Sequence, residues 1–274
     1  MNAAVPVKPG SPTWRSRDRE WTWIAMTCVG LCGLFSLWPE LDLRASRAFL
    51  ADEQVFVGQQ LTAVVGLYQV VPWIGRAGAL LALLVALSPR RWWSPRWRRR
   101  LMALGLSMLV GVGMAVNGLL KEHWGRARPA EVHAPGGNAR FSPALRPVAQ
   151  CHSNCSFVSG HAATGFALMS IGLLGSPQTR RRWLLLGLVA GAAVGLGRMA
   201  QGGHFLSDVL FAGWVIWLCQ AALREAWLRR TAWQRKHRRP RDRTTEIRLP
   251  SAPSAGASPG ANSTAHHRPQ WPAR

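Results

Sequence analysis

Acidic side chains are scarce in this 274-residue chain: 12 Asp and Glu stand against 34 Lys and Arg, a formal charge of +22. That scarcity leaves no cluster of carboxylates to hold magnesium or a pair of metal ions. Charge is thin altogether, at 17% of residues, where a soluble domain carries about a quarter. Cysteine is sparse as well. Cys28, Cys32 and Cys219 fall in apolar segments, as small buried hydrophobes do. Cys151 and Cys155 share one loop, where pairing depends on the side that the loop faces. With His133 and His152 they form too weak a pattern to carry a zinc site. What the chain does hold is apolar surface, 48% hydrophobic residues with 15 Trp, the composition of a helical membrane protein. Its basic residues come in short bursts between apolar runs instead of on one folded face, so nucleic-acid binding is not expected. The bursts follow the positive-inside rule.

Six apolar runs, near 21–38, 61–88, 101–120, 157–175, 183–196 and 205–223, predict six transmembrane helices and an all-α polytopic fold. No small-residue cleavage site precedes the first, which predicts a signal anchor on a cytoplasmic segment, 1–20. Pro72 and Arg76 interrupt the second run, so its membrane part is expected in the later two-thirds. A short amphipathic helix near 43–50 is expected at the interface. Gly105, Gly111, Gly113 and Ala115 in the third run permit close helix packing. The membrane domain is expected over 21–228 and a disordered, basic, cytoplasmic tail over 229–274. With the amino terminus inside, the arginine-rich stretches 90–100, 180–182 and 224–243 all face the cytoplasm. The same count puts 121–156 and 198–204 outside, yet the first of these loops carries Lys121, Arg126, Arg128, Arg140 and Arg146. Basic residues on that side call for something anionic to bind.

Three polar stretches then meet at one membrane face: Lys121 to Arg128-Pro129, Ser159-Gly160-His161, and Arg198 with His204 and Asp208. Charged groups near membrane depth mark a functional site. If the last run is helical from about residue 204, His204 and Asp208 form an i, i+4 pair, and the carboxylate accepts an imidazole N–H. A histidine so oriented is a nucleophile with its positioning partner. Converging Lys and Arg suit a phosphoryl group, whose oxygens need charge-assisted donors. His123 and Arg126 fall off the repeated positions and read as solvated loop residues. Arg140 and Phe141, in the stretch from Gly136-Gly137 to Pro143, are candidates for substrate recognition or for a lid.

These stretches resemble the type 2 phosphatidic acid phosphatase (PAP2) superfamily, which shares its signature with vanadium haloperoxidases. The family pattern is Lys, six residues, Arg-Pro; then Pro-Ser-Gly-His; then Ser-Arg, five residues, His, three residues, Asp. All internal spacings are kept here, with Val158 and Gly197 as the two departures, and the resemblance covers about 100–225. It implies a haloperoxidase-like helical core in which His204 attacks phosphorus, Asp208 orients it, and His161 protonates the leaving oxygen. Lys121, Arg128, Ser159, Gly160 and Arg198 would hold the phosphoryl oxygens, with no metal and no other cofactor. The implied protein is a lipid phosphatase of the bacterial inner membrane with its site facing the periplasm. Its substrate is a membrane lipid phosphate, and no nucleic acid or obligate protein partner is expected. The loop glycines and the run from Asn154 to His161 are similar to bacterial lipid A phosphatases within the family. Undecaprenyl pyrophosphate, phosphatidylglycerophosphate and phosphotransfer between lipids suit the same residues.

Overall fold

The computed structural model describes residues 13–51, 55–133 and 139–237. Two units divide the chain, Met1–Thr231 and Ala232–Arg274. The last helix continues to His237, so residues 229–237 of the tail expected to be disordered are helical, and the rest of that tail lies outside the described residues. Among the described residues the fold is all helix, with one isolated bridge between Leu50 and Phe56. The elements that position the site are α1 (Thr13–Leu37), α2 (Glu40–Arg47), α3 (Thr62–Leu87), α4 (Pro95–His123), α5 (Gly160–Phe166), α6 (Pro177–Ala200) and α7 (Leu206–His237).

Sequence signals explain the boundaries. Ser94 before Pro95 and Ser176 before Pro177 each cap a helix, accepting the N–H of Trp97 and of Thr179; proline at the first position costs no bond that the helix would otherwise make. Pro72 does not break α3, which runs unbroken for 26 residues. Leu and Val side chains on its outer face are exposed, Leu87 by 76%, as lipid-facing residues are.

Among the described residues five helices are long and apolar enough to cross a membrane, where the sequence predicts six. The difference lies at 157–175. Helical structure there is confined to α5 and a 3₁₀ continuation, Ala167–Gly172, together too short for a ~30 Å hydrocarbon layer. Among the described residues it makes no sixth spanning helix, though it runs between the two ends of the bundle. Ser159 lies beside Asp208, whereas Leu174 and Gly175 share a cavity with Arg96, Arg99 and Arg100 at the opposite end. Small residues let this short pass sink into the core: a Cβ on Gly165 would stand 2.8 Å from the Gly191 Cα of α6. Around it pack Phe35, Met108, Val116, Phe157, Phe211 and Ile216. Gly105 packs on Ala82 and Gly111 on Ile216, the contacts that the small residues predict.

The two ends of the bundle are tied differently. At the arginine end Glu20 accepts from Arg180 at 2.9 Å and from Arg224 at 2.8 Å, joining α1, α6 and α7. At the other end lie the three motifs. The helix expected at the interface is α2, but it docks by its polar face, burying Asp42 and Ser46.

Candidate active site

Backbone bonds bring the three motifs together. The Ala130 N–H donates to the Gly202 carbonyl at 2.9 Å, joining the first motif to the third. The Ser159 N–H donates to the Asp208 carbonyl at 3.1 Å, joining the second to the third. The long loop is strapped back on the first motif by Ser156 N–H to Arg126 O, 2.9 Å, and by Val148 N–H to Trp124 O, 3.0 Å. Gly125 makes that turn with φ of +65°, and a side chain there would collide with the Val148 carbonyl, so glycine is required. Cys151 and Cys155 are joined as a disulfide, which takes both thiols out of reach of any metal.

A ring of donors results. The Lys121 ammonium donates to Asn154 Oδ1 at 2.6 Å, and Arg128 Nη2 donates to the Asn154 carbonyl at 2.8 Å. Arg128 and Arg198 line one cavity of about 320 Å³, together with Tyr68 and Gly203. Tyr68 touches both neighbours, since the Arg198 guanidinium lies 4.4 Å over its ring and His161 stacks on it at 4.9 Å. His161 Nε2 faces the Tyr68 carbonyl at 3.2 Å. His161, Gly160, Lys121 and Asn117 then line a second cavity of about 480 Å³. At Gly160 a Cβ would stand 2.6 Å from Asn117 Oδ1, so glycine lets α5 approach Asn117 this closely, with Lys121 Cε at ordinary contact distance, 3.7 Å. Ser159 caps α5 by accepting the Ala162 N–H at 3.3 Å. Arg198 is buried; one Nη donates to Gln201 Oε1, while its Nε has no hydrogen-bond partner among the described residues. A buried donor left open in a ring of cations is suited to an anionic oxygen.

His204 stands just before α7, in the turn that carries the chain over from α6, and is 1% exposed. Its Nδ1 lies 2.8 Å from the Ser156 carbonyl and 3.7 Å from Asp208 Oδ2. The expected i, i+4 neighbours are thus in contact, but the N–H has a closer acceptor. The helix begins at Leu206, two residues later than expected, and the imidazole N–H is accepted by Ser156 and not by Asp208. A carbonyl only accepts, so Nδ1 bears the proton and Nε2 keeps its lone pair. Burial, with the charges of Lys121 and Arg198, pushes the imidazole down to about 3 against the pull of Asp208. His204 is therefore neutral at physiological pH.

Asp208 is held by other groups. Its Oδ2 accepts from Ser156 Oγ at 2.5 Å and from the Phe205 N–H at 2.8 Å. Its Oδ1 accepts from Arg126 at 2.6 Å. Arg126 overturns its expected place as a solvated loop residue: it is fully buried, lies 4.3 Å under the Phe205 ring, and bridges Asp208 to Asp42 at 2.7 Å. An arginine on this side of the membrane signalled an anion, and the anions are these two carboxylates. Asp42 and Tyr68 were invisible because nothing in their local sequence marks them; Asn154 and Ser156 lie in a run that the sequence singled out, but without a role. His123 is exposed, as expected, but it ends α4 instead of lying in the loop, with Nδ1 2.8 Å from the Leu119 carbonyl. Phe141 packs edge-on against Phe205 at 5.5 Å, which makes it a wall of the buried network; Gly136 and Gly137 lie outside the described residues. Val158, at the family's proline position, is fully buried, and a side chain at Gly197 would meet only Leu67 and Val64 at ordinary distance.

The family model of the PAP2 superfamily matches residues 100–232, the stretch that supplies all three motifs. Residues 100–232 are therefore similar to a PAP2 superfamily domain. Curated relatives of that region include three proteins named lipid A 4'-phosphatase. The one from Francisella tularensis subsp. novicida is 38% identical over 124 residues, 45% of this chain and 56% of that protein. Those from Rhizobium etli and Rhizobium leguminosarum are 40% and 41% identical, covering 43% and 42% of this chain and 46% and 48% of theirs. The chain spans about half the length of the curated relatives it matches. No solved structure matches it.

Proposed function

We propose that this chain is a lipid phosphatase acting through a phosphohistidine, with lipid A as its substrate. The single observation that carries this reading is His204: a neutral imidazole whose Nδ1 proton is fixed by the Ser156 carbonyl, beside a ring of three cations. In the first step the Nε2 lone pair forms a bond to phosphorus. The ester P–O bond breaks, and its electron pair leaves on the lipid oxygen, which takes a proton from His161 in its imidazolium form and leaves that ring neutral. Because Nδ1 keeps its hydrogen, the phosphorylated ring carries a positive charge, which the Asp208 carboxylate offsets. His161 then takes a proton from water, the hydroxyl oxygen attacks phosphorus, and the N–P pair returns to Nε2, releasing phosphate. Lys121, Arg128, Arg198 and the Gly160 N–H would balance the charge on the three equatorial oxygens.

The substrate reading is supported by the names of the three relatives. The orientation we infer, site to the periplasm of the inner membrane, is supported by the arginines at the opposite end and by the Cys151–Cys155 disulfide, which belongs in an oxidising compartment. The test is phosphate release in detergent from lipid A, undecaprenyl pyrophosphate, phosphatidic acid and phosphatidylglycerophosphate, with EDTA present. We expect release from lipid A, unaffected by EDTA and reduced about 10³-fold or more in His204→Ala. A folded wild type that releases nothing from any of the four would end the hydrolase reading.

A further inference from the structure

The PAP2 match begins at residue 100, yet one end of the buried network around His204 comes from α2, outside that region. Asp42 is fully buried. Its Oδ1 accepts the Ser207 N–H at 2.8 Å; its Oδ2 accepts the Ser207 hydroxyl at 2.6 Å and Arg126 Nη2 at 2.7 Å. Every bond is donated to it, so the form that fits is the carboxylate. Arg126 gives its other nitrogen, Nη1, to Asp208 and to Ser207 Oγ. Asp208 in turn accepts from Ser156 Oγ, and the carbonyl of that same Ser156 holds His204 Nδ1.

Charge gives this chain of bonds its meaning. Arg126 paired with Asp208 alone would be a neutral unit, and a neutral unit offers little to a ring that becomes cationic. With Asp42 on the second arm of the guanidinium, the buried cluster of Asp42, Arg126 and Asp208 has two negative charges and one positive. Its net charge of −1 lies next to the imidazole among fully buried groups, where Coulomb interactions are strong. We propose that Asp42 is a positioning residue for catalysis, supplied by α2 from outside the PAP2-like region, whose charge lets Asp208 remain an effective anion toward His204 while Arg126 locks it in place. This deepens the phosphohistidine reading and rests on it. Because the effect is largest when the ring is phosphorylated, it belongs to kcat and not to substrate binding.

The experiment compares Asp42→Asn, which keeps shape and removes charge, with wild type, Asp208→Asn and the double variant. Phosphate release from lipid A is normalised to folded protein by size-exclusion chromatography in detergent. In parallel, the downfield Nδ1–H proton of His204 is followed in protein labelled with ¹⁵N-histidine and assigned by its loss in His204→Gln. We expect Asp42→Asn to lower kcat about 30-fold with KM unchanged or smaller, and to move the Nδ1–H signal upfield. In the Asp208→Asn background the same change should cost almost nothing more. Unchanged kcat per folded molecule, a full additive loss in the double variant, or an unmoved Nδ1–H signal would each overturn the proposal. If Asp42→Asn does not fold, Ser207→Ala takes its place: loss of one donor to Asp42 should lower kcat about fivefold and move the same signal, and no change in either would overturn the proposal. A wild type that releases no phosphate counts against the phosphatase reading, and the Nδ1–H signal then decides the role of Asp42 alone.

Discussion

His204 carries most of the chemistry because two opposed requirements are met on one ring. It is deep enough to lose its proton and close enough to a carboxylate to gain positive charge when phosphorylated. Its depressed basicity also has a consequence for stability. In the unfolded chain the imidazole takes up a proton near 6.5, in the folded one near 3. Between those values the unfolded state binds the extra proton, so stability falls as pH drops; above 6.5 both states are neutral and the contribution is constant. The loss on going from pH 7 to pH 5 is about 2 kcal/mol from this group. Unfolding temperatures in detergent should therefore fall more steeply over that range for wild type than for His204→Gln, and parallel curves would refute it.

At the scale of elements, α5 is the piece on which the site's precision depends. It presents Ser159, Gly160 and His161 at its start, and it is short, buried and pressed against α6 through Gly165 and Gly191. The close approach is backbone against backbone, with a Cβ on Gly165 falling 2.9 Å from the Gly191 nitrogen. No side-chain rotation relieves that contact, so Gly165→Val must push α5 off its neighbour. The expected cost is about 2–3 kcal/mol, seen as a lower unfolding temperature, with a lowered kcat because His161 and the cap at Ser159 move together. A full kcat in the folded variant would mean that α5 tolerates displacement.

The whole molecule is polarised end to end. Cations at one end are tied up with Glu20 or gathered in the Arg96, Arg99 and Arg100 cluster; cations at the other converge on open space around Asn154 and Tyr68. If the site faces the periplasm, Arg146→Cys, exposed beside it, should react in intact cells with a membrane-impermeant maleimide. Arg91→Cys, exposed at the arginine end, should react only after permeabilisation, in a background lacking Cys28, Cys32 and Cys219. The reverse pattern would invert the topology.

The residue types and spacings of the three motifs and the five long apolar helices were determined by the sequence itself, because apolar runs and motif intervals are local properties of the chain. What each charged group binds was decided only in three dimensions. Asp208 looked like the partner of His204 four positions away, but the turn before α7 hands the imidazole N–H to Ser156, 48 residues distant. Arg126 read as a solvated cation until α2, far earlier in the chain, supplied Asp42 as its second anion. Tyr68 came to the site only through the packing of α3, which sets its ring against His161 and Arg198. The physical reason is common to all of these: a buried charge must find its counterpart wherever packing puts one, and packing joins residues without regard to their separation in sequence.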